Sequence, residues 1–117
     1  MPPAKIIIDT DPAIGLALRD IDDALAILYL LRLPREFEVL GLTVVAGNCS
    51  VREGVRAAGG ILSAASRRDL PVFPGSPGRR HRAGTPAAAF LASTAAAHPG
   101  EVTVLAIGPL SNVAAAG

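Results

Sequence analysis

Cysteine is almost absent from this sequence: Cys49 is the single one in 117 residues, so no internal disulfide can form and a disulfide-stapled mini-domain is excluded. Lysine is equally scarce, with Lys5 alone, and neither His81 nor His98 has a partner Cys or His at metal-binding spacing. Long apolar runs are missing as well. The longest, Ala24 to Leu31, falls far below the roughly 20 residues that span a bilayer. No basic, apolar and cleavable leader pattern opens the chain, and together with the lone thiol this gives cytoplasm as the expected location. Charge of one sign is not in excess: eleven Lys and Arg face ten Asp and Glu, too even a balance for a dedicated nucleic-acid binder. Neither a membrane nor a nucleic acid is an expected partner.

What is present is a chain that is 50% hydrophobic and 18% charged, which excludes a disordered polar tail. The charge is unevenly spread. Residues 1–58 hold six basic and eight acidic groups, residues 59–117 five and two, and five of the ten carboxylates fall between Asp9 and Asp23.

Hydrophobic patterning predicts alternating strands and helices. Lys5-Ile-Ile-Ile-Asp9 is a β-branched run that reads as a buried strand ending in acids. Asp22 or Asp23 to Leu33 is rich in helix formers, starts on acids that suit a helix N-terminus and stops at Pro34. Val39 to Ala46 is a second strand. Ser50-x-x-Glu53 is a capping box opening a helix to about Ser66, in which Gly59-Gly60 reads as a site of close packing. Pro71 to Pro74 is a short strand, weakened by its prolines, and residues 74–84 have loop composition. Thr85-Pro86 starts an Ala-rich helix to about His98, Val102 to Ile107 is the next strand, and Gly108-Pro109-Leu110-Ser111-Asn112 turns into a last helical stretch. The fold class is α/β: a mainly parallel sheet with helices on both faces, an open Rossmann-like core. Residues 1–117 read as the N-terminal part of a single domain, so the chain reads as truncated.

Ligands of such sheets bind beyond the carboxyl ends of the strands. Those ends are Asp9-Thr10-Asp11, Ala46-Gly47-Asn48 and Ile107-Gly108. Asp9 and Asp11 are two apart, so continued strand geometry puts them on one face with Thr10 on the other. Two carboxylates about 5 Å apart repel by roughly 3 kcal/mol at an effective dielectric near 20. Only Arg19 is a local counter-charge in the sequence, so the crowding calls for a cation. An all-oxygen donor set favours Ca²⁺ or Mg²⁺ over zinc. The plainer alternative is that these acids cap a helix and solubilise a loop. Asp20 reads as a solvated loop or capping residue, and Asp9 as an acceptor for loop amides.

Taken in order, Ile7-Ile8-Asp9-Thr10-Asp11-Pro12, Asp22-Asp23-Ala24-Leu25-Ala26-Ile27, Thr43-Val44-Val45-Ala46-Gly47-Asn48 and Ala106-Ile107-Gly108-Pro109-Leu110-Ser111-Asn112 resemble the signatures of the nucleoside hydrolase family, inosine/uridine-preferring type. The resemblance covers nearly the whole chain. It implies a Ca²⁺-dependent enzyme of purine and pyrimidine salvage that cleaves the N-glycosidic bond of a ribonucleoside to ribose and free base. It also implies that Asp11 is a metal ligand and the general base, Asp23 a second, bidentate ligand, and Ile107 a ligand through its backbone carbonyl. Asp22 and Asn48 would hold the ribose hydroxyls, with Asp9 in support. Related enzymes are dimers or tetramers, so a homo-oligomer is expected. Their longer chains supply a further Asp ligand and a His near the departing base from a distal part with no counterpart in this sequence.

The sequence departs from the family pattern at Ala13, which replaces a glycine, and in the nine residues Ala13 to Ile21 between Pro12 and Asp22. Arg79-Arg80-His81-Arg82 stands where members carry a His-Gly segment, and reads as solvated surface. Cys49 reads as a packing residue. Two competing readings remain at this point. In a haloacid-dehalogenase-like phosphotransferase, Asp9 would be the nucleophile and Asp11 the acid/base, but this needs a lysine downstream and Lys5 lies upstream. The other is a non-catalytic, truncated hydrolase-like domain acting as an oligomer component.

Overall fold

The computed structural model describes residues 2–11, 22–46, 50–76, 84–108 and 111–117. In chain order the elements are β1 (Ala4–Thr10), α1 (Asp22–Leu31), β2 (Phe37–Val44), α2 (Val51–Ala64), β3 (Val72–Pro74), α3 (Pro86–Ala97), β4 (Val102–Ala106) and α4 (Ser111–Ala116). Every strand pairing is parallel, in the spatial order β3-β2-β1-β4. From β1 the chain builds outward through β2 to β3, then crosses back to place β4 on the other side of β1. The strand order therefore reverses between β1 and β4, the kind of crevice where doubly wound sheets bind ligands.

A parallel strand covered on both faces needs apolar side chains on both. Ile6, Ile7 and Ile8 supply them and are all buried. Ile6 and Ile8 join Leu42, Val44 and the inner faces of α1 and α2, including Ala24, Ile27, Ala58, Ile61 and Leu62, in one core cluster. The opposite face belongs to α3 and α4. There Phe90 of α3 stacks on Phe73 of β3, ring centroids 4.2 Å apart, and lies so close to Gly41 that a Cβ there would sit 3.0 Å from its ring. The β1–β2 register slips between Ile6 and Ile7: Ile6 pairs with Val39 but Ile7 with Gly41. Leu40 is thus the extra residue of a bulge, and the slip keeps Val39 and Leu42 on the same face despite their odd spacing.

Helix starts follow local chemistry. Ser50 Oγ accepts from the Glu53 N–H at 3.2 Å while Glu53 Oε1 accepts from the Ser50 N–H at 3.2 Å, a closed capping box. Thr85 Oγ1 accepts from the Ala88 N–H, with Pro86 in the first turn of α3. One packing expectation fails: a Cβ on Gly59 or Gly60 meets nothing within 4 Å, so the pair does not admit a close neighbour among the described residues. Both are exposed mid-helix glycines that carry only the entropic penalty. Gly60→Ala is expected to stabilise the chain by about 0.5–1 kcal/mol in chemical denaturation.

Candidate active site

The β1 tip lies against the start of α1. Asp23, in the first turn of α1, accepts two hydrogen bonds on Oδ2: from Thr10 Oγ1 at 2.6 Å and from the Asp11 backbone N–H at 3.1 Å. The helix N-terminus is a favourable place for this carboxylate. Thr10 points to the α1 side and Asp9 to the α4 side, so the expected divergence of these neighbours is present. Asp11 is 6% exposed.

The strand tips are held in step beyond the regular ladder. The Val45 N–H donates to the Thr10 carbonyl at 3.0 Å, and the Ile107 N–H donates to the Asp9 carbonyl at 2.9 Å. Gly108 then passes directly over Asp11. A Cβ at Gly108 would lie 2.9 Å from Val45 Cγ1, 3.2 Å from the Asp11 nitrogen and 3.3 Å from Asp11 Cγ, so any side chain there would have to displace Val45 or Asp11. The peptide joining Ile107 to Gly108 therefore runs beside the Asp11 carboxyl. Asp11 thus has Asp23 against its N–H and Gly108 against its backbone and carboxyl, at the tips of the neighbouring strands β1 and β4.

Beneath them lies a second, fully buried acid. Asp9 is 0% exposed; its Oδ1 accepts from Thr43 Oγ1 at 2.5 Å and from Asn112 Nδ2 at 3.0 Å. Its Oδ2 is buried without a hydrogen-bond partner among the described residues. Burial raises the Asp9 carboxyl above its ordinary value, against the lowering effect of the Thr43 and Asn112 hydrogen bonds. The expectation that Asp9 serves loop amides is corrected here: its partners are side chains of β2 and α4, because its side chain points from the sheet toward α4. A nucleophilic role for Asp9, as in the phosphotransferase reading, is not compatible with that burial.

Two of the expected substrate ligands are not placed. The Asp22 side chain and Asn48 lie outside the described residues, as do Asp20, Arg19, Ala13, Cys49 and the Arg79–Arg82 segment. Among the described residues no three His, Cys, Asp or Glu side chains group closely enough to hold a metal. Sequence reasoning passed over Thr10, Thr43 and Asn112, although Thr43 and Asn112 stand inside two of the motifs it singled out. A polar residue within an otherwise apolar strand, as at Thr43, was the available signal.

The family model for inosine-uridine preferring nucleoside hydrolases matches residues 6–117. The chain belongs to this family. Uridine nucleosidase 1 of Arabidopsis thaliana is 37% identical to this nucleoside hydrolase chain over 139 aligned positions, covering 96% of the chain but 39% of the relative. Probable uridine nucleosidase 2 of Oryza sativa subsp. japonica is 32% identical, again over 96% of this chain and 39% of the relative. Among solved structures, a plant nucleoside hydrolase, PpNRh1, superposes with a TM-score of 0.82 at 32% identity, over 98% of this chain and 42% of its own. An inosine-guanosine nucleoside hydrolase gives 0.71 at 30% identity, over 96% and 42%. The chain thus spans about two-fifths of the length of these relatives.

Proposed function

We propose that this chain supplies the strand-tip part of a ribonucleoside N-glycosidase, releasing ribose and free base. The observation that carries the reading is the position of Asp11 at the strand-order reversal, with its N–H on the Asp23 carboxylate and Gly108 in close approach. The donor set suits a hard divalent ion: two carboxylates and a carbonyl, all oxygen, with no sulfur or imidazole beside them. Asp11, Asp23 and the Ile107 carbonyl would hold Ca²⁺, the remaining positions of its six to eight oxygen ligands coming from water, substrate and the further Asp that the family resemblance places in a distal part. When bound, the ion orients a water and modestly lowers its pKa.

Asp11 accepts the proton of the attacking water. Glycosidic cleavage passes through an oxocarbenium-like state, so a carboxylate near the anomeric carbon both removes that proton and stabilises developing positive charge. The close approach of Gly108 fixes the Asp11 backbone, and Asp23 holds the Asp11 N–H, so the base is aimed before substrate arrives. Asp22 and Asn48 are assigned to the ribose hydroxyls. A homo-oligomer in the cytoplasm completes the proposal.

The test is ribose release from a ribonucleoside panel headed by uridine, the substrate named in the plant relatives. Release is expected to stop on chelation and return with added Ca²⁺. Ribose release that persists in excess chelator overturns the metal-dependent reading, and no release with any member of the panel overturns the glycosidase reading.

A further inference from the structure

Asn112 of α4 is buried, at 2% exposure, and its amide reaches across the sheet. One Nδ2 hydrogen goes to Asp9 Oδ1, 103 positions away in sequence, and the other to the Val44 carbonyl, both at 3.0 Å. The same Val44 carbonyl accepts from the Gly75 N–H at 2.9 Å. Gly75 leaves no room for a side chain: a Cβ there would fall 1.9 Å from Asn112 Oδ1. A single planar amide thereby joins the ends of β1 and β2 and packs on the segment that follows β3.

This arrangement is expensive for stability alone. Asp9 is a buried carboxyl with one oxygen unpartnered among the described residues, and a half-satisfied buried polar network is less favourable than an apolar core. Its placement is informative. Asp9 lies two residues before Asp11 on the same strand, and the Thr10 carbonyl between them carries the Val45 bond. Fixing Asp9 to the end of β2 fixes the direction in which β1 delivers Thr10 and Asp11 to Asp23 and Gly108.

We propose that Asn112 is a positioning residue for the candidate active site, setting the mutual placement of the β1 and β2 tips through Asp9 and Val44. The inference rests on the metal-site reading for what the tips bind, but not for what holds them. Groups that orient metal ligands from behind typically cost about 10- to 100-fold in metal affinity when removed.

Three variants of the 117-residue chain test it. Asn112→Ala removes the amide, Asn112→Asp keeps its size but loses both donors, and Gly75→Ala keeps Asn112 and displaces it. Leu70→Ala, in the α1/α2-side core, serves as a control for general destabilisation. Hydrogen exchange followed by NMR without metal is expected to accelerate about tenfold or more at the Asp11, Val45 and Gly75 amides in the three variants, beyond any change shared with Leu70→Ala. The reciprocal pair Asp9→Asn with Asn112→Asp restores one donor–acceptor contact and is expected to recover part of the Asp11 protection. Calorimetric titration with Ca²⁺ is expected to show about 10- to 100-fold weaker binding in the variants and unchanged binding in Leu70→Ala. Exchange at those three amides that matches the parent chain, or that only tracks Leu70→Ala, overturns the proposal. Absence of Ca²⁺ binding in the parent chain overturns the metal-site reading instead, and the exchange result then decides the positioning role on its own.

Discussion

Replacing Asp11 by Asn is expected to lower ribose release by about 10²- to 10⁴-fold, the range that a positioned general base contributes. Asn keeps the size of the side chain beside Gly108 and leaves the backbone N–H that donates to Asp23 untouched. The strand tip therefore retains its shape while losing the proton acceptor and one negative charge. The loss is expected mainly in kcat, because water deprotonation belongs to the transition state rather than to nucleoside binding. Raising Ca²⁺ does not restore the rate, since an amide cannot take up the proton at any metal occupancy. Ribose appearance measured with saturating uridine and saturating Ca²⁺ checks this; a variant within a few-fold of the parent rate removes Asp11 from the role of base.

The parts of this molecule that were legible in the sequence are those whose determinants sit close together in the chain. The capping box at Ser50 and Glu53, the Thr85-Pro86 start of α3 and the isoleucine run of β1 each carry their physics within a few residues. The nearness of Asp11 to Gly108 was also within reach, because parallel strands deliver their C-terminal ends to one edge whatever lies between them. The Asp9–Thr43–Asn112 network was not. Its members are separated by 34 and 103 positions, and nothing local says that a buried acid will be met by an amide from the last helix. The bulge at Leu40 is hidden for a similar reason, since register is a property of two strands and not of one. Gly59-Gly60 shows the opposite error: a glycine pair is compatible with a close neighbour, but only the three-dimensional arrangement reveals whether one is there.

Substituting Asp23 by Ala is expected to act twice, and the two effects separate by calcium concentration. In the absence of metal, Asp23 Oδ2 is the acceptor for both Thr10 Oγ1 and the Asp11 N–H. Its removal leaves a part-buried hydroxyl and a backbone donor without that partner, at a cost of about 1–3 kcal/mol in unfolding free energy. Water reaching the tip offsets part of this, so the lower end applies if the crevice hydrates. With metal present, the parent chain gains stability by linkage, about 2.7 kcal/mol once free Ca²⁺ stands at 100 times its dissociation constant. The Ala variant, lacking one of two carboxylate ligands, is expected to gain far less. The stability difference between parent and variant therefore widens as Ca²⁺ is raised, whereas a carboxylate that merely tied the loop down would give a difference independent of calcium. Urea denaturation of both chains across a calcium series, at fixed ionic strength so that screening does not imitate binding, distinguishes the two. A constant gap across that series removes Asp23 from the metal site and leaves it as the strut of the β1 tip.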